Sequence, residues 1–358
     1  NSSCMLAFDH RGDGMQFGLQ LNSQHPATEN MRRRLEELLE QVRLARAVGF
    51  QSVVAPQHYL PAPFQMLQPL PLLARMAAET DKMRLIAGII LLSLQHPVAL
   101  AEEVGTLDVI CNGQFTLGVA LGYRPAEFQA FGVAKADAVP RLVEGLTVLK
   151  RLWTEQKVEH CGRFFTLPGV TLTTRPIQQP HPPIWMGADN DRAVLRAARL
   201  ADTWYINPHA KLETLRRQIA LYRQALAELG KPFPRELPIR RELFVAKDRD
   251  TALRICMPYL ERKYQTYVAW GQSGALPQGD TLDLPFDDLR DQRFIIGSPD
   301  DCVEQLLLYH EHLGVNHFVL RVQWAGMPQA QVLEAITLFG GRVIPHLREV
   351  SRAHVYEE

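Results

Sequence analysis

Gly49-Phe-Gln-Ser-Val-Val-Ala-Pro-Gln-His58 joins a helix to a buried strand. Ahead of it, Leu35, Leu38, Leu39, Val42 and Ala45 recur at the helical period across Asn30–Val48. Gly49 stands where a helix end turns into left-handed backbone. Ser52–Pro56 is short and apolar, the pattern of a strand covered on both faces. Gln57 and His58 follow at once. Helix, glycine, apolar strand and polar strand end together make one unit of an alternating α/β fold.

The same unit recurs outward from this stretch. Eight short apolar runs read as strands: Gln16–Leu21, Ser52–Pro56, Met83–Leu92, Phe115–Leu121, Pro183–Met186, Thr203–Ile206, Ile239–Ala246 and Asn316–Arg321. Helical patterns lie between them, at Pro69–Thr80, Pro97–Cys111, Val139–Trp153, Asn190–Leu200, Leu212–Leu229, Asp250–Val268, Ser298–Leu313 and Gln329–His346. Ser298 suits an N-cap, Pro299 a first helical residue, and Gly314 a helix end. Eight such units suggest a (β/α)8 TIM barrel with insertions, although a doubly wound open sheet shows the same alternation. Residues 15–350 read as a single domain, interrupted at 155–182 and 269–293. The second interruption is either a lid over the barrel mouth or an exposed insertion. Residues 1–14 read as a non-native or disordered appendage, and 351–358 as a tail.

Composition narrows the function. The chain has 358 residues, 46% hydrophobic and 22% charged, which suits a packed globular protein. Lys plus Arg and Asp plus Glu both number 39, so no basic excess favours nucleic acid or an anionic membrane. No apolar run approaches the ~20 residues of a membrane span. Five cysteines without a CxxC pair fit a reducing cytoplasm better than a disulfide framework. His310 and His312 lie two apart on a predicted helix, hence on different faces, and no HExxH occurs. A metal site is not expected. The absence of GxGxxG, GxxxxGK[ST] and GxSxG leaves dinucleotide, P-loop and serine-hydrolase readings unsupported.

In a barrel the strand C-termini face the site. That placement brings forward Gln57 and His58, Tyr123 and Arg124, and Trp204 and Asn207. His58 could exchange a proton near neutral pH, or serve only as a hydrogen-bonded structural residue. Pro183-Ile-Trp-Met-Gly-Ala-Asp-Asn-Asp-Arg192 runs from strand through a tight turn into a helix. Free amides at that helix start could meet a phosphate, with Arg192 adding a cation; alternatively Asp189 and Asp191 only cap the helix.

Longer motifs carry a resemblance. Besides the opening stretch, they are His96-Pro-Val-Ala-Leu-Ala-Glu-Glu103, Leu107-Asp108, Asn112-Gly-Gln-Phe-Thr-Leu-Gly118 and Gly122-Tyr-Arg-Pro-Ala-Glu-Phe-Gln-Ala-Phe-Gly132. Gly297-Ser-Pro-Asp-Asp-Cys-Val303, Leu338-Phe339 and Val343-Ile-Pro345 complete the collinear set. The chain resembles the bacterial luciferase-like flavin-dependent monooxygenases from Met15 to about Glu349. The resemblance implies the TIM barrel rather than the open sheet.

It also implies a function. Family members take reduced FMN from a separate NAD(P)H flavin reductase and form a flavin peroxide with O2 that oxidises a small organic substrate. By this likeness a non-proline cis peptide falls at Gly88–Ile89, against the flavin ring. The phosphate turn corresponds to Met186, Gly187, Ala188, Asp189 and Asn190. Arg192 stands where a hydroxyl residue is common, and Arg141 resembles an arginine of the phosphate region. Tyr123, Thr203 and Trp204 resemble further flavin-lining positions, and His58 the family's acid/base histidine. Phe64 and Trp324 are expected substrate walls, with plain packing the alternative. Gln57, Ala120 and Leu121 stand where luciferase has a carboxylate, a reactive thiol and an arginine, so long-chain-aldehyde luminescence does not follow. Two other readings keep the barrel: a deazaflavin-dependent oxidoreductase that needs no oxygen, and a non-catalytic flavin-binding subunit. A cytoplasmic homodimer is expected.

Overall fold

The structure is a computed structural model and describes residues 14–277 and 280–356. Eight parallel strands close a barrel: Gln16–Gln20, Ser52–Ala55, Arg84–Leu91, Phe115–Ala120, Ile184–Ala188, Thr203–Ile206, Pro238–Val245 and His317–Arg321. They follow chain order around the ring, which closes where His317–Arg321 pairs with Gln16–Gln20. The sixth and seventh strands meet at Ile206 and Ile239. All eight runs read from the sequence are these strands. A further strand, Phe294–Gly297, was not foreseen; it pairs with Glu242–Val245, the far half of the long seventh strand.

Helices form the outer layer for the reasons the sequence offers. Asn30 accepts a hydrogen bond from the Arg33 amide at 3.1 Å and so caps Met31–Ala47. Gly49 leaves that helix with φ of 100°. Ser298 and Asp301 form a reciprocal capping box on Pro299–Leu313. The last expected helix is three pieces, Gln329–Leu338, a π-helical turn Phe339–Val343, and Ile344–Tyr356. It thus runs on into the segment read as a tail, while 1–13 of the expected appendage lie outside the described residues. The interruption at 155–182 holds an antiparallel pair, Val158–Cys161 and Thr166–Val170. That at 269–293 carries a 3-10 turn, Gln272–Ala275, and the short helix Phe286–Arg290. Buried Arg293 ties it to the end of the sixth strand by a 2.6 Å hydrogen bond to the His209 carbonyl.

Strand alternation divides the core. In the first strand, Phe17 and Leu19 pack outward against the helices, leaving Gln16, Gly18 and Gln20 for the lumen. The lumen is filled at mid-height by Val54, Ile86, Trp185, Tyr205 and Val319. Its N-terminal end is sealed by a polar group. Ser52 Oγ lies 2.8 Å from His317 Nε2, and His317 Nδ1 lies 2.7 Å from Glu236 Oε1, which Arg84 also holds. This line has the bonding order of a nucleophilic triad, yet Ser52 is fully buried beneath Gly18, where a Cβ would sit 2.3 Å from its hydroxyl. No substrate reaches it, so the group is a plug, and ligands must enter at the strand C-termini.

Candidate active site

His58 leaves the second strand at the barrel mouth, and its partner comes from far along the chain. Glu127 sits on the short helix Pro125–Ala130, which follows the fourth strand. Its Oε1 lies 3.2 Å from His58 Nδ1 and accepts the Tyr59 amide at 2.9 Å. Arg124 donates to the Tyr59 and Leu60 carbonyls, at 2.7 and 3.2 Å, and so clamps the loop that carries His58. Glu127 is fully buried. Burial lowers the His58 pKa, Glu127 opposes this, and Arg124 and Arg240 add to the lowering. The imidazole is therefore neutral near pH 7. With Nδ1 protonated toward Glu127, the lone pair is left on Nε2, which has no hydrogen-bond partner among the described residues. Glu127 was missed because its link to His58 spans 69 residues; the clue was a carboxylate one helical turn after Arg124.

Aromatic rings wall the space around His58. Tyr123, Tyr267 and Trp270 have ring centroids 5.9, 6.1 and 5.5 Å from the imidazole. Trp270 stacks on Tyr267 and carries the Arg124 guanidinium 4.1 Å from its ring centre. Phe64 reaches this box edge-on to Trp270 at 6.3 Å. Tyr267 and Trp270 come from the end of helix Arg249–Ala269, where the second interruption begins. The Tyr123 hydroxyl is buried without a partner among the described residues, and burial pushes its pKa up.

Opposite the sealed end, small residues open a shelf. The Gly88–Ile89 peptide is cis, in the third strand. Ala120 and Gly187 face the same region from the fourth and fifth strands; a Cβ on Gly187 would lie 3.5 Å from Ala120 and 3.8 Å from Ile89.

Strand parity sorts the expected phosphate turn. Gly187 faces inward, whereas Met186 and Ala188 are buried in the outer, helix-facing core. Asp189 turns its carboxylate to Asn207 at 2.6 Å, and burial raises its pKa to about 6. Asp191 is paired with Arg217. Asn190 caps helix Asp191–Leu200 through the Ala193 amide at 3.1 Å. Capping is thus present at this helix, and the Asp191 and Arg192 amides remain without partners among the described residues. The Arg192 side chain is exposed. Arg141 lies over the ends of the third and fourth strands, its Nε donating to the Ser93 carbonyl at 2.9 Å. Phe165 packs under its guanidinium at 4.9 Å, and the terminal nitrogens have no hydrogen-bond partner among the described residues.

Three expected residues do not line the open mouth. Thr203 begins the sixth strand and donates to the Glu236 carbonyl at the plugged end. Trp204 faces the helices and packs on Tyr222, its indole N–H donating to the Ala188 carbonyl at 3.1 Å. It supports the turn from behind. Trp324 is fully buried, donating to Glu242 Oε2 at 2.7 Å, and holds a charged cluster rather than lining open space.

A flavin-shaped ligand fits these residues. Gly88, Ala120 and Gly187 put no bulky side chain on the shelf, as a planar ring requires, the buried Tyr123 hydroxyl lacks a partner among the described residues, and Arg141 with the two free amides offers anion contacts. Comparison with known proteins agrees. Residues 15–317 match the family described as Luciferase-like monooxygenase. The oxygenase component of flavin-dependent trigonelline monooxygenase from Acinetobacter baylyi is 24% identical over 95% of this chain and 98% of its own. The F420-dependent glucose-6-phosphate dehydrogenase of Microbacterium testaceum is 26% identical over 87% and 94%. The solved monooxygenase RslO1 of Streptomyces bottropensis superposes with a TM-score of 0.82 at 26% identity, covering 93% of this chain and 99% of that one. The chain belongs to the luciferase-like monooxygenase family.

Proposed function

We propose that this protein is the oxygenase of a two-component flavin-dependent monooxygenase, receiving reduced FMN from a separate NAD(P)H flavin reductase and oxidising a small organic substrate. The observation that carries this reading is the carboxylate-anchored His58, with a free Nε2, in a ring-walled mouth beside the Gly88–Ile89 shelf. When bound, reduced FMN supplies two electrons to dioxygen, so that one oxygen atom enters the substrate and the other leaves as water.

The chain's own residues have distinct tasks. Gly88, Ile89, Ala120, Gly187 and Tyr123 would hold the ring, and Arg141 with the Asp191 and Arg192 amides the phosphate. Glu127 fixes the His58 proton on Nδ1, so Nε2 can take a proton from the substrate and return it to the departing oxygen. Tyr267, Trp270 and Phe64 exclude water from that exchange.

The F420-dependent relative supports a second reading, a deazaflavin hydride carrier on the same barrel. Titration of the protein with FMN and with deazaflavin separates the two: tighter FMN binding is expected, and binding of deazaflavin alone would overturn the first reading. Assembly as a homodimer in the cytoplasm is part of the proposal, and light scattering showing a monomer would remove the dimer from it.

A further inference from the structure

The mouth wall opposite the shelf carries a surplus of cations. Arg240 projects into the lumen from the seventh strand, mostly buried and facing Tyr205, Tyr264 and Tyr267. Among the described residues only one of its five N–H groups is engaged, by a 3.4 Å contact with Glu242 Oε1, and its buried Nε has no partner. Glu242 is already committed: it binds Lys263, accepts Tyr264 at 3.4 Å and accepts Trp324 at 2.7 Å. Arg321 projects from the neighbouring eighth strand and bonds the Gln323 carbonyl and Asn22, neither of them charged. Two guanidinium groups and one ammonium therefore share one carboxylate. Among the described residues the other carboxylate that senses Arg240 is Asp189, which is held by Asn207. His209 Nδ1, buried in this wall beside Tyr264 and Tyr267, also lacks a partner among the described residues. A small cavity lined by Gln24, Phe64, Lys263, Tyr267 and Arg321 opens beside the cluster.

A buried cation with unfilled donors is costly unless an anion completes it. The neighbouring rings of Tyr267, Trp270 and Phe64 suit a flat apolar body. We propose that this wall is an anion-recognition site built on Arg240, and that it selects substrates bearing a carboxylate on an aromatic ring. The inference rests on the reading of the mouth as the oxidation site, with the shelf on the third to fifth strands left to the flavin. Arg240 thereby sets specificity, and His58 handles the proton.

The test uses the full chain with benzoate as probe and benzamide as its neutral isostere, followed by calorimetry without flavin. Benzoate is expected to bind saturably and more tightly than benzamide by about fivefold, the difference between a charge-assisted hydrogen bond and a neutral one. Arg240→Gln should abolish that preference and leave benzamide binding and FMN affinity near wild type. Arg240→Lys, which keeps the charge, should restore part of the preference. Equal binding of the two probes, no saturable benzoate binding, or a preference that survives Arg240→Gln overturns the proposal. So does loss of FMN affinity in Arg240→Gln with benzoate unaffected, because the cation then serves the flavin. Wild-type protein that binds benzoate as expected but not FMN would instead refute the flavin reading, leaving the anion site standing.

Discussion

Replacing Glu127 by glutamine removes one charge from the buried dyad and keeps its shape. In the wild type, Glu127 Oε1 meets His58 Nδ1 at 3.2 Å and the Tyr59 amide at 2.9 Å, so the carboxylate both positions the ring and selects its tautomer. A hydrogen bond to a charged acceptor contributes about 1 kcal/mol more than a neutral one, or roughly fivefold in the tautomer ratio. The variant should therefore shift His58 toward the Nε2–H form by about that factor. The His58 pKa, already lowered by burial, should fall further, because Glu127 is what opposes the lowering while Arg124 and Arg240 remain. Long-range proton–nitrogen correlation spectra read both quantities without a substrate, with His58→Gln assigning the resonance. An unchanged tautomer, or a titration midpoint that moves up, would refute the dyad. Catalysis should also slow by about tenfold, in line with ~1.4 kcal/mol of lost transition-state stabilisation.

Arg141→Ala should weaken FMN binding roughly ten- to a hundredfold, the range for one charged hydrogen bond, by fluorescence titration; an unchanged dissociation constant would free Arg141 of that role. Gly187→Val should fill the shelf, costing FMN affinity at least about tenfold, since overpacking costs ~1–3 kcal/mol. Gly187→Ala adds only a Cβ, at the ordinary contact distance of 3.5 Å from Ala120, and should leave the melting temperature near wild type; retained FMN affinity in Gly187→Val would contradict the shelf. At the plugged end, burial alone would raise the Glu236 pKa, but His317 and Arg84 outweigh it and bring it from 4.5 to about 2. A depressed carboxylate stabilises above its unfolded pKa and loses that contribution as pH falls through the folded one. Urea unfolding of Glu236→Gln should show a deficit of ~3 kcal/mol at neutral pH that narrows between pH 4.5 and 2. A deficit independent of pH would contradict the linkage.

The fold was legible because most strands are largely apolar and several helices announce their ends, as at Asn30, Gly49, Ser298 and Gly314. The same apolarity hid which residues face inward. A strand covered on both faces has no polar alternation, so Met186, Ala188 and Trp204 could not be distinguished from lumen-facing neighbours such as Gly187. Thr203 was misplaced for a second reason: it starts its strand, and only strand ends reach the mouth. Phe294–Gly297 escaped notice because four residues beside an aperiodic interruption give no period to count. His58 could be singled out from its place after a strand, whereas Glu127, Tyr267, Trp270 and Arg240 come near it only through the ring closure of the barrel. Charge balance was equally invisible in a neutral chain, since the surplus around Arg240 is local.

The measurement that bears most directly on the central claim is rapid mixing of the anaerobic protein and reduced FMN with oxygenated buffer, following flavin absorbance. The account predicts a transient, neither reduced nor oxidised flavin, that outlives the protein-free control and shortens in His58→Ala. Oxidation of FMN indistinguishable from that free in solution would contradict it.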